Sequence, residues 1–323
     1  GFYFIELLLY KMIFNSWFLI ANPSAGNKNF KKSWNRIQGT LKKEKINYFF
    51  AFSHYYKHEI TIVNDALKKG FRKFISVGGD GTLHHIVNAI MKQEDVETSN
   101  IKIAVIPTGT GNDWIKTYEI PYHIEKAIKI IKFEFSKLQD IGYLQLDSGE
   151  EEFFINLAGI GFDGYVVNQL QSLKRLGSIS FLLSGIYSLF FYKNSYYDLT
   201  LKKKLKKEKC LMILFGICKF SGGGLRLTKK PKTDDGLIDV TIFKNFSLLD
   251  IILNLHKLYN GRILEHKKIE NYKLKTIRIL QKENKYSFIE ADGELVGKGS
   301  LKISIVPKAI QFIIPKKGRN LFY

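Results

Sequence analysis

Between residues 73 and 90 an apolar run, 73–77, empties into Gly78-Gly79-Asp80-Gly81-Thr82, and Leu83, Ile86, Val87 and Ile90 follow at helical spacing. A strand, a glycine-rich turn and a helix in immediate succession restrict the fold sharply. Glycines let the backbone approach an anion closely, and the first amides of the helix are donors without helical partners, so such a turn suits a phosphate. Gly-Gly-Asp-Gly alone would be an unremarkable turn; its position between strand and helix gives it meaning.

Two further loops share this design. Asn22-Pro23-Ser24-Ala25-Gly26 follows a strand expected at Trp17–Ala21, and Pro107-Thr108-Gly109-Thr110-Gly111-Asn112-Asp113 follows one expected at 103–106. With a fourth strand at Tyr48–Phe52 and apolar stripes at Phe30, Trp34, Ile37, Leu41 and at Ile62, Val63, Ala66, Leu67, the pattern predicts a parallel sheet with crossover helices. Open α/β sheets hold ligands at the carboxyl ends of their strands. The three loops are therefore expected on one sheet edge. Neither a GxGxxG spacing nor a Gly-Lys-Ser/Thr sequence is present, which excludes the Rossmann and Walker A arrangements and leaves Lys28, Thr82, Thr108 and Thr110 as the side chains nearest the loops.

From about Phe135 the apolar period becomes two, at Phe153, Ile155 and Leu157, at Val240 and Ile242, at Ile277 and Ile279, and at Leu301, Ile303 and Ile305. This predicts an α/β domain over 12–135 and a mainly antiparallel β-sandwich over 136–323, with a C-terminal tail free to return to the first domain. One helical interlude is expected at 173–192, where Lys174, Arg175 and Lys193 flank an apolar face suited to a membrane interface or a lipid tail, or simply to packing on the sandwich.

Fifty Lys and Arg against thirty Asp and Glu leave a net charge of +20, a field that attracts nucleotides, nucleic acid or acidic lipid headgroups. The lysine cluster at 202–207 is expected at a solvated hairpin tip. Residues 1–20 are interrupted by Glu6, Lys11, Asn15 and Ser16, so they predict neither a bilayer span nor a secretory signal, and residues 1–11 are expected to precede a start at Met12. Cys210 and Cys218 are too few for a disulfide framework and lack metal-ligand spacing, which favours a reducing cytoplasm.

The ordered set formed by the three loops, Gly159-Ile160-Gly161-Phe162-Asp163, Gly222-Gly223-Gly224 with Asp235-Gly236, and Ala291-Asp292-Gly293-Glu294 closely resembles the diacylglycerol kinase-like lipid kinases. The resemblance implies an ATP-binding domain similar to phosphofructokinase and NAD kinase, a C-terminal β-sandwich, a lipid site between them, and Mg²⁺ on the phosphates. Nucleotide binding then falls to Asn22, Lys28, Gly78, Gly79, Asp80, Gly81, Thr82, Thr108, Gly109, Thr110, Gly111 and Asn112. Asp292 becomes the base that receives the lipid hydroxyl's proton, with Glu294 beside it. Asp235 matches a structural metal ligand of the family, although Lys232 stands where some relatives have a second acid. His85 stands where many relatives have Glu; it and His84 point about 100° apart on a helix, so both cannot face a nucleotide.

The expected function is ATP- and Mg²⁺-dependent phosphorylation of a lipid hydroxyl, foremost diacylglycerol, by a peripheral protein at the cytoplasmic membrane face. A homodimer is compatible with the sequence. A soluble-substrate kinase similar to NAD kinase and a non-catalytic nucleotide- or lipid-binding regulator are the alternatives. Specific nucleic-acid binding has only the net charge in its favour.

Overall fold

The computed structural model describes residues 12–25, 29–109, 111–170, 188, 191–202, 204–281 and 286–316. They divide into two units, one drawn from Gly1–Gln139 with Lys308–Tyr323 and the other from Asp140–Pro307.

In the first unit β1 (Trp17–Ala21), β2 (Tyr48–Phe52), β3 (Lys73–Gly78) and β4 (Lys102–Pro107) run parallel in the order β2-β1-β3-β4, and Gln311 and Phe312 of the C-terminal strand add a fifth, parallel to β4. β3 and β4 are buried almost throughout, which is why they read as unbroken apolar runs. The helices are α1 (Phe30–Lys43), α2 (His58–Lys68), α3 (Asp80–Lys92), α4 (Asp113–Thr117) and α5 (Ile124–Phe133). The expected stripes are their buried faces: Trp34, Ile37 and Leu41 on α1, and Ile62, Val63, Ala66 and Leu67 on α2. Ion pairs Arg36–Glu125 and Lys132–Glu44 join α1 to α5.

The chain leaves β1 outward to β2, then returns past it to β3 and β4. The loops after β1 and β3 therefore diverge across a topological switch point, where such sheets open a crevice. α4 is clamped beside that edge. Trp114 is fully buried, its Nε1 donates to Gln139 Oε1 at 3.1 Å, and its ring lies 4.7 Å from that of Phe312.

The second unit is antiparallel. Its strands are β5 (Ser136–Leu146, entering from the first unit), β6 (Glu151–Phe154), β7 (Leu157–Gly161), β8 (Ser195–Leu201), β9 (Lys204–Gly216), β10 (Ile238–Lys244), β11 (Ile269–Leu274), β12 (Thr276–Leu280), β13 (Phe288–Ala291), β14 (Glu294–Lys298) and the first part of β15 (Leu301–Ile313). They pair in the order β14-β13-β7-β9-β8-β12-β15, with β10 joining β9 to β11 and β6 lying on β5. Two helices, α6 (Phe162–Leu170) and α7 (Leu248–Asn260), belong to this unit.

Three expectations change here. The single strand through Phe153, Ile155 and Leu157 is broken at Ile155 and Asn156 into β6 and β7, because their amides turn to a distant carboxylate. β10 is buried on both faces and does not alternate. α7 is an addition: Ser247 and Asp250 form a capping box at its start and Gly261, at φ 79°, ends it. The lysine cluster lies where expected, with Lys202 between β8 and β9, although Lys203 is outside the described residues. So is the interlude at 173–192 apart from Ser188, Phe191 and Tyr192. No described helix is long and apolar enough to cross a membrane.

Gly142 has no room for a methyl group, since an added Cβ would enter the ring of Phe154, which is fully buried across the β5–β6 pair. Gly142→Ala is expected to destabilise the fold by about 1–3 kcal/mol in chemical denaturation, and Phe154→Leu in the same chain should recover part of the loss.

Candidate active site

The loops after β3 and β4 meet backbone to backbone. Thr108 and Gly109 both donate their amides to Gly78 O, at 3.0 and 3.1 Å, and Asp80 N donates to Gly111 O at 3.1 Å. An added Cβ on Gly109 would lie 2.7 Å from Gly79 Cα, and one on Gly79 would lie 2.9 Å from Gly111 O. Gly78 is closed by Thr82, whose buried side chain packs where its Cβ would stand. Three of these glycines thus serve close approach. Asp80 then crosses to the second loop: its Oδ2 accepts from Asp113 N at 2.7 Å and its Oδ1 from Trp114 N at 3.3 Å, which caps α4. Sequence alone suggested an Asp facing ligand; here its carboxylate positions the loops.

The loop after β1 joins the same edge, with Asn22 N donating to Val77 O at 3.1 Å. Asn22 Oδ1 accepts from Ser24 N at 2.9 Å, and its Nδ2 donates to Glu59 Oε1 at 3.2 Å. Glu59, nearly fully buried on α2, faces His85 Nδ1 at 3.2 Å from its other oxygen. Burial pushes the Glu59 carboxyl up, but the hydrogen bond from His85 and other donors outweigh it and hold it below the ordinary range. His85 is therefore part of a buried relay to Asn22, a contact made by Glu59, which the sequence reading passed over.

Asn112 is buried and donates Nδ2 to Gly109 O at 2.6 Å. Among the described residues Thr108 Oγ1 and His85 Nε2 are buried without a hydrogen-bond partner. An unsatisfied hydroxyl in a glycine loop, next to the opening turn of α3, fits a nucleotide phosphate, which would accept from it. Gly81 lies in that first turn. Lys28 and Thr110, also expected to bind nucleotide, lie outside the described residues.

In the second unit Asp292 and Gly293 make the two-residue turn between β13 and β14, at φ 51° and 83°, with Ala291 opposite Glu294. Positive φ at both central residues explains the Asp-Gly sequence. The Asp292 carboxylate reaches back to the β6–β7 break, accepting from Ile155 N at 2.9 Å, Asn156 N at 2.9 Å and Leu157 N at 3.1 Å. Asp292 is thereby held rigidly, while Glu294 begins β14 half-buried.

Beneath this turn lies a pair of acids, of which sequence reading had singled out Asp163 only as part of a motif. Glu290 Oε2 accepts from Gly293 N at 2.8 Å, and its carboxyl bonds to that of Asp163 on α6. Burial pushes both acids up, Glu290 well above the ordinary carboxyl range and further raised by the charge of Asp163. Both shifts favour a proton shared by the pair. Asp163 also lines a cavity otherwise walled mainly by apolar side chains, among them Phe162, Val166, Leu225, Phe243 and Leu255, about 820 Å³ including its open mouth.

Asp235 lies in an ion-pair cluster: Lys273 Nζ stands between Asp235 Oδ2 and Asp239 Oδ2, at 3.1 and 2.9 Å, one ammonium for two carboxylates. Among the described residues no group of three or more His, Cys, Asp or Glu is arranged to hold a metal ion.

Residues 16–144 match the model of the diacylglycerol kinase catalytic domain, and residues 156–314 that of the YegS C-terminal NAD kinase beta sandwich-like domain. The chain is 27% identical over 310 residues to a diacylglycerol kinase of Staphylococcus haemolyticus, covering 94% of this chain and 89% of that one. It is 26% identical over 306 residues to one of Staphylococcus carnosus, covering 94% and 96%. A crystal structure of a diacylglycerol kinase from Bacillus anthracis superposes with a TM-score of 0.71 at 20% identity, over 94% of this chain and 97% of that one, which bears on the fold.

Raised acids bind protons more tightly in the folded state, so the Asp163–Glu290 pair makes stability fall as pH rises from the unfolded carboxyl value, about 4, toward the folded one. Urea unfolding across that window should show a shallower fall for Glu290→Gln than for the parent protein. Equal slopes would mean that the pair carries no extra proton.

Proposed function

The chain belongs to the diacylglycerol kinase-like lipid kinase family, and on that premise we propose that it transfers the γ-phosphate of ATP to the free hydroxyl of diacylglycerol, yielding phosphatidic acid. The apolar cavity of the second unit carries the choice of acceptor. Acyl chains gain by leaving water for a wall of Phe162, Val166, Leu225 and Leu255, whereas a dinucleotide would have to strip its polar groups against the same surface. At the polar point of that wall Asp163 meets Glu290, and Glu290 holds the turn that carries Asp292. Among the described residues Asn156 Oδ1 is a buried acceptor without a hydrogen-bond partner near this turn, and an alcohol is a donor.

The first unit is assigned the nucleotide. Phosphate oxygens accept from Thr108 Oγ1 and from the amides at the start of α3, with Asn22, Gly78 to Thr82, Gly109, Gly111 and Asn112 forming the surrounding loops; Lys28 and Thr110 belong to the same proposal. Mg²⁺ carried by the triphosphate neutralises charge that builds on the transferring group. Asp292 takes the hydroxyl proton as the new O–P bond forms and ADP leaves with the electron pair of the broken P–O bond. Asp163 and Glu290 position that carboxylate through the Gly293 amide. Because the acceptor resides in a bilayer, the protein is assigned to the cytoplasmic membrane face as a peripheral enzyme.

Labelled ATP supplied with diacylglycerol in detergent, and separately with NAD, tests the acceptor: label is expected in phosphatidic acid, and label in the dinucleotide alone would refute the lipid assignment. Asp292→Asn should bind ADP as the parent does and lose kcat by about a hundredfold or more. Turnover near the parent's would remove Asp292 from the chemistry. Leu255→Trp, which fills the cavity, should raise KM for long-chain diacylglycerol more than for dioctanoylglycerol.

A further inference from the structure

α7 is apolar on two sides. Ile251, Leu255 and Leu258 line the cavity, while Leu249, Ile252 and Leu253 are 64%, 45% and 64% exposed. With His256, also exposed, they follow the i, i+3, i+4, i+7 spacing of one helical stripe. A helix with one face in water ordinarily shows polar residues there, and a contiguous exposed apolar patch marks a contact. The helix itself is well anchored, by the capping box at Ser247, by the Asp250–Lys268 ion pair at 2.5 Å and by Gly261 at its end.

The surroundings of the stripe are basic. Lys257 lies in the last turn and Arg262 just beyond Gly261. Lys267 adjoins Lys268, the partner of Asp250, and these cations outnumber the exposed Glu265 beside them. Two copies of this face would bring those cations together, which disfavours a second copy as the occupant. Anionic headgroups satisfy the cations and the acyl boundary beneath them satisfies the leucines.

We infer that α7 is a membrane-docking helix, its Leu249–Ile252–Leu253 stripe entering the interface of an anionic bilayer with Lys257, Arg262 and Lys267 against the headgroups. The preference for a lipid surface rests on the lipid-acceptor assignment. The cavity then lies on the opposite side of the same helix, about 10 Å from the bilayer, so one element both docks the enzyme and walls the space for its acceptor.

Flotation with vesicles of phosphatidylcholine, and of phosphatidylcholine mixed with phosphatidylglycerol, tests this without nucleotide or turnover. The parent protein is expected to float with the mixed vesicles and to be released by salt. Leu249→Gln with Leu253→Gln should weaken that binding about tenfold or more, with the thermal midpoint unchanged because both side chains are already in water. The double variant should phosphorylate micellar dioctanoylglycerol at the parent's rate and lose activity on diacylglycerol embedded in vesicles. Flotation indifferent to the double substitution overturns the inference, as does a parent that never floats, or one that forms a dimer the substitutions dissolve. A protein that floats through these leucines but phosphorylates no lipid refutes the kinase assignment alone; an active kinase whose flotation ignores them refutes the docking helix alone.

Discussion

The backbone contact between Gly79 and Gly109 fixes the arrangement of the glycine loops after β3 and β4. Two strands of a parallel sheet lie side by side for their whole length, but the loops that leave them normally spread apart under the volume of their side chains. Here the missing Cβ atoms allow Gly78 O to receive two amides from the next loop, and Asp80 reaches over to cap α4. α4 is held in turn by Trp114, through Gln139 and Phe312. A short helix of five residues has little stability of its own. Its position comes from these tertiary bonds, and the unsatisfied Thr108 hydroxyl is left facing the same loop cluster.

The second unit solves a related problem with the opposite economy. Its chain must break a strand between β6 and β7, which exposes three successive amides, and a single carboxylate from a turn more than 130 residues later receives all of them. The break and the turn therefore define each other. Asp292 sits in the left-handed region, as the Asp-Gly turn demands, and the neighbouring Gly293 amide is taken by Glu290. A carboxylate placed in this way has little orientational freedom left to lose, which is what the proposed role of Asp292 as base requires.

What was legible in the sequence follows from how local each cause is. β1 falls on its expected residues because a strand buried by its parallel neighbours is a continuous apolar run, β2 is marked at the half-exposed sheet edge by its aromatic run, and the α1 and α2 stripes are set by helical period alone. The glycine loops were legible because a positive φ or a close approach leaves glycine as its own record. The role of Asp80 was not, since its partners lie 33 and 34 residues away. The broken strand at Ile155 was hidden for the same reason. α7 escaped for another: with cavity on one side and exposed leucines on the other, it lacks the polar face that reveals a surface helix, although its Ser-x-x-Asp start and Gly261 end were readable.

The carboxylates of these loops and turns are held by three different partners, and the difference has consequences. Backbone amides hold Asp80 and Asp292, which ties each acid to one geometry. An ammonium, Lys273, bridges Asp235 and Asp239, one positive charge shared by two carboxylates. For Glu290 and Asp163, burial and their mutual contact raise both carboxyls, which favours a shared proton as the partner. Of the three, the proton is the partner that solution pH can remove, and it sits directly beneath the turn carrying Asp292 and at the wall of the apolar cavity. Loss of that proton would place two negative charges together in a medium too poor in water to screen them. The turn and the cavity wall would both have to move to relieve the repulsion. The geometry of the acceptor side is thus coupled to a protonation event, while the loops of the first unit are held by bonds that do not involve this pair.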